Sequence, residues 1–169
     1  FISTNNIQGG SLRILCKKES KPKLYSQPKN FLNKEERSIL NKSDHIQNWS
    51  RLISSKMKYF HKYINENYTE GKRIYGYGAP TKAPLLIKLS NISNMIEYVV
   101  EDNDLKVNKY LPKTKIKIVS KQILVKNAPD ILIVFAWNFI SDIMKKLKKD
   151  KIKGISVVEP LPNFKVYEL

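Results

Sequence analysis

The chain has 169 residues, 41% of them hydrophobic, which is enough for one core of ordinary size plus a helical or extended appendage. No apolar run approaches the roughly 18 residues that span a bilayer, and residues 1–8 lack the charged and apolar regions of a signal peptide, so a soluble, cytoplasmic protein is expected. The net charge is +16, yet the excess is lysine scattered along nearly every segment, with arginine only at Arg13, Arg37, Arg51 and Arg73. Nucleic-acid readers lean on arginine, and neither an aromatic RNA motif nor zinc-finger spacing accompanies the charge, so nucleic acid is not an expected partner.

Cys16 is the only cysteine, which excludes an intrachain disulfide and a cysteine-based zinc cluster, and His45 and His61 are the only histidines. The chain starts at Phe1 rather than Met, and its first dozen residues read as the end of a preceding structure, so an excised or truncated piece is expected. Residues 7–16 read as a turn at Gly9-Gly10 followed by a short strand in which Leu12, Ile14 and Cys16 alternate with Ser11, Arg13 and Leu15. Residues 17–30, with Pro22 and Pro28 and no period, read as a linker, and a short helix is expected around Asn33 to Asn41.

Ile46, Trp49, Leu52, Ile53, Met57, Phe60 and Ile64 recur at helical steps, which predicts a long amphipathic helix from Asp44 to about Tyr68. Asp44 is its candidate N-cap, with Gln47 completing a capping box. The apolar stripe is expected to be buried, so that Leu52→Asp would be severely destabilising, and Trp49 and His61 read as packing residues.

From Arg73 onward, short apolar runs alternate with helical patterns. Strands are expected at 73–77, 96–100, 116–119, 131–135 and 155–158, and helices at 81–90 and 139–149. This alternation predicts an α/β, Rossmann-like unit with a mostly parallel sheet and flanking helices, preceded by the long helix. The continuous run Ile131-Leu132-Ile133-Val134 marks a central strand buried on both faces.

The chemistry concentrates in Gly76-Tyr77-Gly78-Ala79-Pro80-Thr81-Lys82, where a strand turns into a helix. Gly76 and Gly78 permit positive φ and close backbone approach, Pro80 suits a first helical turn, and free N–H groups there would face an anion, with Thr81 and Lys82 adding a hydroxyl and a charge. Glu101-Asp102-Asn103 follows at the end of the second strand, where dinucleotide folds place an acid on a ribose hydroxyl, and Asp102 is the candidate. Thr81 stands where the full G-x-G-x-x-G fingerprint has its third glycine, and a two-glycine turn also occurs simply to let a helix pack on a sheet. Ligand contact and architecture both stand at this point.

This stretch, with Leu85-Leu86 after it, resembles the hallmark turn of the C-terminal domain of bacterial S-adenosylmethionine (SAM)-dependent sugar C-methyltransferases, which methylate a deoxysugar carried on a nucleoside diphosphate. Gly9-Gly10-Ser11-Leu12-Arg13 is similar to the end of that family's SAM-binding domain, and Tyr98-Val99-Val100-Glu101-Asp102-Asn103 to its second strand. Tyr110-Leu111-Pro112, Pro129-Asp130-Ile131-Leu132-Ile133 and Ala136-Trp137-Asn138 resemble later segments in the same order, whereas Ala83 stands where the family often has glycine.

The resemblance implies that residues 1–18 are the remnant of a SAM-binding methyltransferase domain, 19–43 a linker with a short helix, and 44–169 the C-terminal Rossmann-like domain. It implies SAM bound mainly by an upstream domain outside this chain, zinc in a further N-terminal region and none here, and a nucleoside-diphosphate sugar as ligand. The family's catalytic Tyr, Glu and His belong to the upstream domain, and neither His45 nor His61 matches its histidine, so no catalytic residue is expected and the chain alone is expected to be inactive. Trp137 and Asn138 are implied as cleft residues, with core packing the alternative for Trp137. A stand-alone dinucleotide- or SAM-binding module and a basic nucleic-acid-binding protein are the alternative functions; the latter requires affinity that falls steeply with salt.

Overall fold

A computed structural model of the chain describes residues 1–7, 10–18, 20–21, 25–38 and 42–169. They form two compact units, Phe1–Ile53 and Ser54–Leu169.

In the first unit, β1 (Ile2–Asn5) pairs antiparallel with β2 (Ser11–Ile14), with Ile2 opposite Ile14 and Asn5 opposite Ser11. The expected turn strand is β2; its partner β1 lacks the alternation that would have announced it. Gly10 adopts φ +131°, while Gly9 lies outside the described residues, as does Pro22. Helix α1 (Ser26–Glu36) replaces the second half of the expected linker and begins well before Asn33. Pro28 does not prevent it, because it lies within the first turn, where the backbone N–H has no intrahelical acceptor to lose. Residues 39–41 of the expected short helix lie outside the described residues. The Gln27 side-chain amide binds both the N–H and the carbonyl of Ile2, at 3.1 and 2.9 Å, fastening α1 to the hairpin.

Helix α2 (Ser43–Thr69) is the long amphipathic helix, with Asp44 in its first turn. Its stripe is buried only in its C-terminal half. Met57, Phe60 and Ile64 are enclosed, whereas Ile46, Trp49 and Leu52 are exposed, Leu52 by 53%. The expected burial of Leu52 is therefore corrected: periodicity identifies a helix face but does not supply the neighbour that covers it.

The second unit holds a six-stranded sheet built from β3 (Ile74–Tyr77), β4 (Tyr98–Glu101), β5 (Lys117–Ser120), β6 (Ile131–Val134), β7 (Ser156–Glu159) and β8 (Lys165–Glu168), in the order β5-β4-β3-β6-β7-β8. All neighbours are parallel except β8, which runs antiparallel to β7. The mostly parallel, Rossmann-like architecture stands as expected, with β8 added; its Lys-Val-Tyr-Glu sequence is too polar to read as a buried strand, as befits an edge.

Strands β3 and β6 are buried along their whole length, as the continuous apolar run required. Tyr75, Tyr77, Leu132 and Val134 pack in one cluster with Ile143 and Leu147 of α5 (Ile140–Lys149). Helices α3 (Ala83–Leu89) and α4 (Gln122–Lys126) complete the connections. Phe164, just before β8, lies 5.0 Å from the rings of both Tyr59 and Tyr63 on α2, so aromatic contacts close that side of the unit. Among the described residues no helix is long and apolar enough to cross a membrane.

Candidate functional site

The strand order reverses between β3 and β6: the chain moves outward from β3 through β4 to β5, returns to β6 on the other side, and continues to β7. In open α/β sheets the crevice outside the carboxyl ends of the strands at such a point is the ligand site. The segments at these strand ends are Gly78-Ala79-Pro80 after β3, Glu101 closing β4 with Asp102 after it, and Ala136-Trp137-Asn138 after β6. A cleft of about 250 Å³ opens there, lined by Tyr77, Ala79, Asp102, Phe139 and Lys146 among others.

The two glycines of the turn do different work. Gly78 has φ +83°, a conformation that disfavours any Cβ, and an added Cβ would lie 3.1 Å from that of Ala136. Gly76 needs no such freedom: a Cβ there would run into the Phe135 ring and meet Val99 at 3.0 Å, so its role is packing between β3 and its neighbours. Pro80 precedes α3 rather than opening it; the helix starts at Ala83, with Pro84 in its first turn.

Hydrogen bonding changes the expected anion geometry. The Gly78 N–H donates to the Val100 carbonyl at 2.7 Å, and the Ala79 N–H donates to Glu101 Oε2 at 2.9 Å. Glu101 Oε1 accepts from the N–H groups of Asp102 and Asn103, at 3.0 and 3.1 Å, and the Lys106 ammonium sits 3.3 Å from Oε2. Burial would raise the Glu101 pKa, but these backbone donors and Lys106 outweigh it and hold the carboxyl below its ordinary value.

Asp102 faces the other way, as the next residue along an extended chain must. Its carboxylate accepts from the Tyr77 hydroxyl at 3.0 Å and from Lys146 Nζ on α5 at 2.8 Å. Burial opposes its ionisation, yet Lys146 and Tyr77 keep it below the usual carboxylate range; burial and the Asp102 charge together push the Tyr77 hydroxyl far up. Lys106 and Lys146 are the residues that sequence reasoning missed. Each is one lysine among many, and nothing local marks the pair that the fold carries to the acidic strand end.

On the β6 side, Lys82 Nζ lies 3.5 Å from the centroid of the Trp137 ring and 3.3 Å from Asn138 Oδ1. Burial lowers the Lys82 pKa below the ordinary lysine value. Thr81 is exposed and Trp137 half-buried. Of the expected site residues, Tyr77, Gly78, Ala79, Pro80 and Asp102 line the cleft; Lys82 meets Trp137 and Asn138 in a separate cluster, and Gly76 lies within β3.

His61 Nδ1 lies 2.8 Å from the Ser90 carbonyl, away from the cleft residues, and Cys16 is exposed in the first unit. Among the described residues no group of three or more His, Cys, Asp or Glu side chains is placed to hold a metal ion.

The C-methyltransferase NovU of Streptomyces niveus is 31% identical to this chain over 98 residues, which cover 57% of the chain and 23% of NovU. The match thus spans about a quarter of that relative's length. The family described as the C-methyltransferase C-terminal domain matches residues 6–162, nearly the whole chain, and this chain belongs to it.

Proposed function

We propose that the chain is the substrate-binding C-terminal part of a SAM-dependent sugar C-methyltransferase of deoxysugar biosynthesis, acting in the cytoplasm. Its unit Ser54–Leu169 would hold the nucleoside-diphosphate sugar against an upstream methyltransferase domain. The match to a C-methyltransferase C-terminal domain over residues 6–162 carries this reading. The Lys82, Trp137 and Asn138 cluster, on the segments that follow β3 and β6, supports it by offering a cation, an aromatic face and an amide to a nucleotide.

Methylation at a sugar carbon beside a ketone requires a base to form an enolate, a stabiliser for it and an aligned methyl sulfonium. SAM supplies the methyl group when bound, and in this reading the upstream domain binds it and contributes the base, with zinc held further upstream. The role of this chain's residues is to bind and orient the sugar nucleotide and to exclude water from the cleft. A stand-alone dinucleotide module is disfavoured by one observation: the N–H groups of Gly78 and Ala79, which would meet a pyrophosphate, are already bonded within the protein.

Titration calorimetry of the whole chain with thymidine and uridine diphosphate hexoses, SAM and NAD tests the proposal. Binding of a sugar nucleotide in preference to SAM and NAD is expected, and tight binding of NAD alone would overturn it.

A further inference from the structure

We infer that Glu101 occupies the phosphate seat of this Rossmann turn and that a ligand's diphosphate is received instead by Lys82, beside Asn138 and Trp137. The diphosphate half rests on the sugar-nucleotide reading above; the Glu101 half does not.

The Glu101 carboxylate has the partners of a bound phosphate. It accepts from the Ala79 N–H of the turn at 2.9 Å and from two further backbone N–H groups, those of Asp102 and Asn103. The Lys106 ammonium closes the set, bonding also to the Ala79 carbonyl at 3.2 Å. The side chain is only 12% exposed. A phosphate approaching the same N–H groups would meet a fixed negative charge in a partly desolvated place, where like-charge repulsion is strong. Helix α3, seven residues long, adds no long dipole to offset that repulsion.

Lys82 is in the opposite condition. Among the described residues no ion pair includes it; an aromatic face and a neutral amide oxygen hold it. Both contacts are weaker than a charge-assisted bond to a phosphate oxygen, so a diphosphate gains Lys82 without breaking a salt bridge. Glu101 is then a specificity determinant, which denies the turn to dinucleotides and directs the anion toward β6.

Amide and indole NMR spectra of the whole chain, titrated with uridine diphosphate, thymidine diphosphate, pyrophosphate and NAD, separate the two seats. The Trp137 indole and the Asn138 side-chain amide should shift with the nucleoside diphosphates, while the backbone amides of Ala79, Asp102 and Asn103 stay in place. Lys82→Ala should weaken diphosphate binding about tenfold, the loss of one charge-assisted contact. Glu101→Ala should strengthen pyrophosphate binding by about tenfold or more, because it frees three amides and Lys106. Should that variant melt early, Glu101→Gln, which removes the charge and keeps an acceptor, is expected to change pyrophosphate affinity in the same direction. Largest shifts at Ala79, or wild-type affinity in Lys82→Ala, would overturn the assignment. If the wild type binds neither nucleotide, the sugar-nucleotide reading and the Lys82 half fall together. The Glu101 half is then decided by pyrophosphate, and no gain in either Glu101 variant overturns it.

Discussion

At the residue scale, the glycines of the turn make separable demands. Gly76→Ala forces a methyl group into the Phe135 ring in the middle of the sheet, and overpacking of this kind costs on the order of 1–3 kcal/mol. Urea titration should show that loss in the midpoint. Gly78→Val combines a disfavoured φ with a contact at Ala136, so it should lower stability as well as close the cleft; melting measured beside binding separates the two effects. The carboxylates give a pH signature. Glu101 and Asp102 titrate below their ordinary values in the folded state, so the unfolded chain binds their protons more tightly. The stability they contribute is present above the ordinary carboxylate range, about pH 4, and is lost as the pH falls through their folded values. Stability of Glu101→Gln followed from pH 7 downward should therefore fall less steeply than that of the wild type. Lys82 titrates below the ordinary lysine value, so nucleotide affinity that depends on its charge should decline at a lower alkaline pH than an unperturbed lysine would give. The acidic pair at the strand end was legible in the sequence, but its division of labour was not: Asp102 was the expected ligand residue, and Glu101 is the one bonded to the turn.

At the element scale, α2 illustrates what periodicity can and cannot say. Its stripe was readable from Ile46 to Ile64, but burial is a property of a pair of surfaces, and of that stripe Met57, Phe60 and Ile64 are enclosed while Ile46, Trp49 and Leu52 are exposed. Leu52→Asp should accordingly change the melting of this chain little, within about 0.5 kcal/mol as for other surface changes. Phe60→Ala should cost about 3–5 kcal/mol, since Phe60 is fully enclosed and tilts against Phe164. Comparable losses in the two variants, measured by denaturant unfolding, would contradict this division of the helix. The strands β3, β4, β6 and β7 were predicted within a residue or two because hydrophobic run length and flanking turn chemistry are local signals. Strand β8 escaped because an edge strand needs only one apolar face and one partner, and its partner is chosen by the chain's return past Phe164.

At the scale of the whole molecule, methyl transfer from SAM to a sugar nucleotide by this chain alone, assayed against a no-enzyme control, should be undetectable, because the proposed base and methyl donor site lie in another domain. The amino-acid sequence by itself determined the alternation of strands and helices, the glycine turn at the end of the first parallel strand and the family resemblance, since each is carried by residues close together along the chain. Only the tertiary structure decided which donors the turn leaves open. Whether Ala79 offers its N–H to a ligand depends on Glu101, and whether Asp102 is available depends on Lys146, 44 residues further on. Those pairings are set by strand order and by how helices lie on the sheet. Long-range geometry of that kind selects a few lysines from a surface full of them, and composition contains no record of the choice.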